Sequence, residues 1–186
     1  QEALQAAQTV QPREEDFLQH LQALERRFPL ELARSALEIA ILRKEALRKF
    51  AKPDQLYFTR QALEQASSEP VAAYRALRYR SFRQVIDLGC SVGIDTLALA
   101  ASAPAIGLDR DPLRLRMAQA NALALGLSQQ ASFLQADLAQ TLPLRRSFPS
   151  PVDRPALFYD PARRSSGGRI FSVEDYSPPL SSILGW

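Results

Sequence analysis

The sequence predicts an α/β fold, with a parallel sheet of about four strands interleaved with helices and an all-helical region ahead of it. Two observations predict it. All seven glycines fall between Gly89 and Gly185, so the chain changes character near residue 81. From there four short apolar runs alternate with helical patterns: VIDLG at 85–89, AIGLD at 105–109, ASFLQAD at 131–137 and ALFYD at 156–160. Each run ends in an acidic residue or reaches one. Strands alternating with helices argue for βαβ units, whose crossovers are right-handed almost without exception. A helical region over 1–80 and a sheet-bearing domain over 81–186 are the expected parts.

The helices follow from spacing and caps. Phe17, Leu18, Leu21, Leu24 and Phe28 recur at three- and four-residue intervals, as do Leu32, Ala36, Ile39, Ala40 and Leu47 after Pro29, which can open a helix. Thr59 is placed to cap a short helix over 60–66, and Ser68 with Pro70 just inside begins another through 80. Between the strands, helices are expected over 95–101 and 112–125, the second closed by Gly126.

Composition narrows the class. The chain is 46% hydrophobic and 23% charged, near the average for soluble domains, and no apolar run approaches the roughly 20 residues of a spanning helix. The single cysteine, Cys90, cannot form an internal disulfide and no signal peptide is visible, so a cytoplasmic protein without membrane association is expected. With one histidine, His20, and one cysteine, no metal site is expected. A net charge of +3 and a pI near 9.3 leave room for a basic face. Residues 43–52 hold Arg43, Lys44, Arg48, Lys49 and Lys52 against Glu45 alone, either a phosphate-facing stripe or a solvated helix face. Tyr57 and Phe58 follow, placed either to cover a ligand or to anchor the domain junction.

In doubly wound sheets ligands bind beyond the carboxyl ends of the strands, where this chain puts its acids. The segment Asp87-Leu88-Gly89-Cys90-Ser91-Val92-Gly93 leaves a strand and enters a helix, with glycines where backbone must turn tightly beside a ligand. A dinucleotide fingerprint fails at Ser91 and Ile94, which disfavours NAD. The pattern instead resembles methyltransferase motif I, with Asp87, Gly89 and Gly93 in register and Ser91 at the place of a central glycine. Asp109, with Arg110 beside it, closes the second strand where a carboxylate can accept from both ribose hydroxyls, or cap the next helix; Asp111 is the other candidate for that cap. Asp137 can accept from an adenine amino group while Leu138 packs beside the ring. The fourth run delivers Asp160 and Pro161, then Arg163, Arg164 and Arg169 with Gly167 and Gly168, a cationic flap. This resembles methyltransferase motif IV, in which Asp160 and Pro161 would face the acceptor and Arg163 stands where many nucleic-acid methyltransferases carry an aromatic residue.

The runs LYFTRQALEQASSEPVAAYRALR at 56–78, VIDLGCSVGIDTLALA at 85–100, LDRDPLRLRMAQANALALG at 108–126 and FYDPARRSSGGRI at 158–170 resemble bacterial class I methyltransferases that carry a C-terminal THUMP-like domain, distant relatives of trimethylguanosine synthases. The resemblance implies a Rossmann-like sheet of seven strands, S-adenosylmethionine as methyl donor with S-adenosylhomocysteine as product, and an RNA substrate methylated at a base nitrogen. It also implies that the chain is an N-terminal fragment stopping before the fifth strand. On that reading the cofactor residues are Asp87, Gly89, Cys90, Ser91, Gly93, Asp109, Arg110, Asp137, Leu138 and Asp160. Asp160 and Pro161 would serve catalysis, and Arg163, Arg164, Tyr57, Phe58, Lys49 and Lys52 the substrate. The alternatives are methylation of a small molecule or protein, or a non-catalytic module binding an adenosine ligand or RNA.

Overall fold

The computed structural model describes residues 1–140, 150, 153–161, 164–165, 168–169, 172–176 and 178–184. The chain forms two compact units, residues 1–64 and 65–186.

The first unit is helical: α1 (Glu2–Thr9), α2 (Phe17–Glu25), α3 (Leu30–Ala46), a 3-10 turn (Pro53–Gln55) and α4 (Arg60–Gln65), which runs to the boundary. Small side chains let the helices approach. Ala3 and Ala7 of α1 bury against Ala33, Ala36, Leu37 and Ala40 of α3, with Leu24 of α2 completing the cluster. Sequence spacing misses α1, because its buried face is alanine and carries no large apolar marker. The α3 stripe is also rotated by a residue from the expected one: Ala33 and Leu37 are buried, while Leu32 and Leu47 are exposed. Thr59 caps α4 as expected, its Oγ1 accepting from the Ala62 amide at 3.1 Å.

The second unit begins with α5 (Glu69–Ala76) and a 3-10 turn (Leu77–Tyr79), then carries β1 (Val85–Leu88), α6 (Ile94–Ala100), β2 (Ala105–Asp109), α7 (Pro112–Ala124), β3 (Ala131–Gln135) and β4 (Ala156–Phe158). The four strands lie in the order β3-β2-β1-β4, all parallel. The chain therefore grows one way from β1 to β3 and returns to the other side for β4, which puts the switch point between β1 and β4. The fold is α/β, as the sequence predicts.

Helices on both faces bury β1 completely, and its residues alternate between two cores. Val85 joins Leu97, Leu99, Ala105 and Phe158 on one face; Ile86 and Leu88 join Leu108, Leu138 and Ile183 on the other. The caps of α7 are those expected, whereas Ser68 begins α5 without a side-chain capping bond. Asp111 accepts from the amides of Leu113 and Arg114, and Gly126 ends α7 in the left-handed region at φ +71°. Ile183 lies on a short helix, α8 (Leu180–Leu184), that the sequence does not announce. Where the sequence suggests a cationic flap, β5 (Arg164–Ser165) pairs antiparallel with β6 (Gly168–Arg169). Arg163 and Gly167 lie outside the described residues.

Candidate functional site

The loop from β1 to α6 is built by three left-handed residues in alternation: Gly89 at φ +96°, Ser91 at +51° and Gly93 at +85°. Serine thus adopts the conformation that the absent central glycine would take freely. Two bonds hold it there. The Ser91 amide donates to Asp109 Oδ2 at 2.8 Å, and Asn121, fully buried on α7, donates from Nδ2 to the Val92 carbonyl at 3.0 Å. Gly93 cannot be replaced cheaply, because a Cβ there would come within 2.9 Å of Ala118 Cβ and 3.0 Å of the Phe133 ring.

Asp109 closes β2 with its other oxygen accepting from the Asp111 amide at 2.9 Å. Its carboxylate therefore fixes both the glycine loop and the start of α7, and a carboxylate has further lone pairs for a ligand. Asp137 stands two residues past β3, accepting from the Ala139 amide at 3.0 Å and the Gln140 side chain at 3.3 Å. Gly89, Asp109, Arg110, Asp137 and Leu138, predicted from five positions on three strand ends, line one open pocket of about 140 Å³. Four residues the sequence reading missed join them, Arg114, Ala136, Ala139 and Pro178. Arg114 was recoverable from its spacing, three residues after the capping Asp111. Pro178 was not, since it arrives from a segment forty residues after Leu138.

Asp87, Cys90, Ser91 and Gly93 shape the loop and do not line that pocket. The Asp87 carboxylate, 3% exposed, accepts the Thr96 hydroxyl at 2.5 Å. Burial pushes its carboxyl up to about 7; the Thr96 hydrogen bond opposes the shift, and the charges of Asp95, Asp109 and Asp160 add to it. Cys90 packs beneath Gly107, and burial next to Asp87 and Asp109 raises its thiol well above the usual range.

Asp160, two residues past β4, is held from a helix. Arg75 on α5 donates to Asp160 Oδ2 at 2.7 Å and to Ser67 Oγ at 2.8 Å, and lies 3.5 Å from Asp95 Oδ1 in the first turn of α6. Burial raises the Asp95 carboxyl, Arg75 opposing and Asp160 adding. Pro161 follows, half-buried, at the end of the described stretch. The preceding residue, Tyr159, donates its hydroxyl to the Pro178 carbonyl, tying the β4 end to the pocket wall.

In the first unit the basic stretch is divided. Arg43, 8% exposed, donates from Nε to the Leu56 carbonyl at 2.8 Å and stacks on Tyr57 at 4.9 Å. The Lys49 ammonium donates to the Leu63 and Glu64 carbonyls at 2.7 and 3.0 Å, capping the end of α4. Lys44, Arg48 and Lys52 are exposed. Phe58 is 2% exposed and stacks on Phe50, with ring centroids 5.3 Å apart. Among the described residues no helix is long and apolar enough to cross a membrane, and no group of three or more His, Cys, Asp or Glu is placed to hold a metal ion.

No family model matches the chain. It is similar to two uncharacterized S-adenosylmethionine-dependent methyltransferases of Mycobacterium tuberculosis strains, 39% identical over 156 residues in each case. The match covers 80% of this chain and spans 40% of each relative. Among solved structures it is similar to an O-methyltransferase from Bacillus cereus in complex with S-adenosylhomocysteine, at 13% identity and a TM-score of 0.37, covering 67% of this chain and 44% of that one. It is also similar to the N-terminal domain of EvdMO1 with S-adenosylhomocysteine bound, at 21% identity and a TM-score of 0.40, covering 54% of this chain and 46% of that one. The chain has an α/β fold with a four-stranded parallel sheet in the order β3-β2-β1-β4, and four-fifths of its length is similar to proteins named as S-adenosylmethionine-dependent methyltransferases.

Proposed function

We propose that this chain is the cofactor-binding part of an S-adenosylmethionine-dependent methyltransferase. The observation that carries the reading is the gathering of Gly89, Asp109 and Asp137 from the ends of three adjacent parallel strands around one pocket, with Leu138 and Pro178 as its apolar walls. That donor set fits an adenosine-bearing ligand: Asp109 would receive the ribose hydroxyls, Asp137 the adenine amino group, and Leu138 the ring face. The relatives' names support it. When bound, the sulfonium supplies an electrophilic methyl group, its C–S bond breaking toward sulfur as an acceptor nitrogen bonds to the carbon.

We further propose RNA, at a base nitrogen, as the acceptor, in a cytoplasmic protein of the type that carries a C-terminal THUMP-like domain. Three features support this: the Asp160–Pro161 pair at the switch point, the arginines that follow it in sequence, and the basic balance of the chain. The Asp160 carboxylate would accept a hydrogen bond from the acceptor's N–H and aim its lone pair. Alignment would supply most of the rate, since the displacement needs little acid–base help.

Calorimetric titration with S-adenosylhomocysteine tests the cofactor half, and transfer of a tritiated methyl group from S-adenosylmethionine to RNA by the full-length protein tests the acceptor half. Absence of saturable binding by folded full-length protein would remove the first; binding with transfer to protein or small molecules and none to RNA would remove the second.

A further inference from the structure

Arg75 joins parts of the second unit that the strand ends alone leave separate. Its guanidinium Nη1 meets Ser67, Asp95 and Asp160, which lie 8, 20 and 85 residues away in sequence. Asp95 is two residues past Gly93, in the first turn of α6; Asp160 stands two residues past β4, on the other side of the switch point. The side chains of Arg75 and Asp160 are each 30% exposed and that of Asp95 20%, so the contacts are partly shielded from solvent. Asp160 follows β4. That strand has three residues, pairs only with β1 among the described strands, and leaves Asp160 two positions beyond its last register pair.

Resting on the methyltransferase reading, we propose that Arg75 is a positioning residue for methyl transfer: it clamps the Asp160–Pro161 segment after β4 to the first turn of α6, so that the acceptor-facing carboxylate keeps a fixed place relative to the cofactor loop. In-line displacement tolerates little misplacement, which is why a clamp remote from the reacting atoms governs rate more than affinity. Arginine suits the task better than lysine, because its planar fork reaches more than one acceptor in a set geometry. The clamp would leave ligand binding nearly untouched, since Arg75 is absent from the pocket formed by Gly89, Asp109 and Asp137.

The test uses the full-length protein carrying Arg75→Lys, Arg75→Met, Asp160→Asn, and Arg75→Met with Asp160→Asn. Affinity for S-adenosylhomocysteine is measured by calorimetry, and turnover by tritium transfer to total RNA from cells lacking the gene. Arg75→Met should lower kcat about 10- to 100-fold while the S-adenosylhomocysteine Kd stays within about threefold. Arg75→Lys should recover part of the rate, and in the Asp160→Asn background Arg75→Met should cost little more. Equal losses of affinity and turnover, or losses that multiply in the double variant, overturn the proposal. A second readout needs no acceptor: with aspartate carboxyls labelled with carbon-13, the Asp95 titration should move up by about one unit or more in Arg75→Met. An unchanged Asp95 midpoint overturns the clamp. Should wild-type protein transfer nothing to RNA while that midpoint rises, the acceptor reading fails and the clamp stands.

Discussion

Thr96 donates its hydroxyl to the buried carboxylate of Asp87 at 2.5 Å, joining the last strand residue but one of β1 to the first turn of α6 across the glycine loop. Thr96 itself is fully buried. The pair explains why an acid can sit in the core of the sheet: the hydroxyl satisfies one oxygen, and the remaining cost of burial appears as a carboxyl raised from 3.8 to about 7.

That shift sets a pH dependence. A carboxyl whose folded value lies above its unfolded value holds more protons folded than unfolded between the two, so stability falls as pH rises from about 4 to about 7. The ligand-free chain should lose on the order of a few kcal/mol over that window, and Asp87→Asn should flatten the slope. Urea denaturation at pH 5 and pH 8 measures it; equal slopes in wild type and Asp87→Asn would contradict the assignment. Thr96→Val, which strands the carboxylate, should cost about 1–3 kcal/mol.

Asp109→Ala removes the acceptor for two backbone amides, Ser91 and Asp111, and the group facing the pocket. Affinity for S-adenosylhomocysteine should fall by about 1–3 kcal/mol, with a smaller loss for Asp109→Asn. Wild-type affinity in Asp109→Ala would place the ribose elsewhere.

Gly107 lies where a Cβ would come within 2.8 Å of both Cys90 Sγ and the Phe133 ring. Gly107→Ala should destabilise the chain by about 1–3 kcal/mol. Adding Cys90→Ala should return only part of this, since Cys90 Cβ also lies 2.9 Å from the new methyl position. Thermal unfolding of the wild type and the two variants checks the order.

Cys90 is 6% exposed, and burial keeps its thiol protonated at neutral pH. Iodoacetamide should modify the native chain slower than the urea-unfolded chain by on the order of 100-fold or more. Equal rates would mean that the loop opens readily.

The first unit separates two kinds of lysine. Lys49→Met should lower the melting temperature by removing the cap on α4 and, on the proposed RNA reading, leave the salt dependence of that binding unchanged. Lys52→Ala, at an exposed position, should leave stability unchanged and reduce the salt slope by about 0.7 if that lysine meets a phosphate of single-stranded RNA. Filter binding from low to high salt distinguishes the two.

The sequence by itself determined the local and periodic features. Four strands, the helices between them, the Thr59 and Asp111 caps and the Gly126 terminus follow from short-range rules, because each depends on residues within a turn or two of one another. It also placed Gly89, Asp109 and Asp137 at strand ends, and parallel strands bring such ends together on one side of the sheet. Only the tertiary structure decided which charges face inward. Arg43 and Lys49 read in sequence as part of a phosphate-facing stripe or a solvated helix face, and Arg75 carries no signal there, yet the first two bond to carbonyls brought round by the turns after α3, and the third meets a carboxylate 85 residues away. Charge has no periodicity that reveals its partner: an ion pair's address is set by which elements pack together, and Arg75 on α5 reaches Asp160 because β4 lies beside β1.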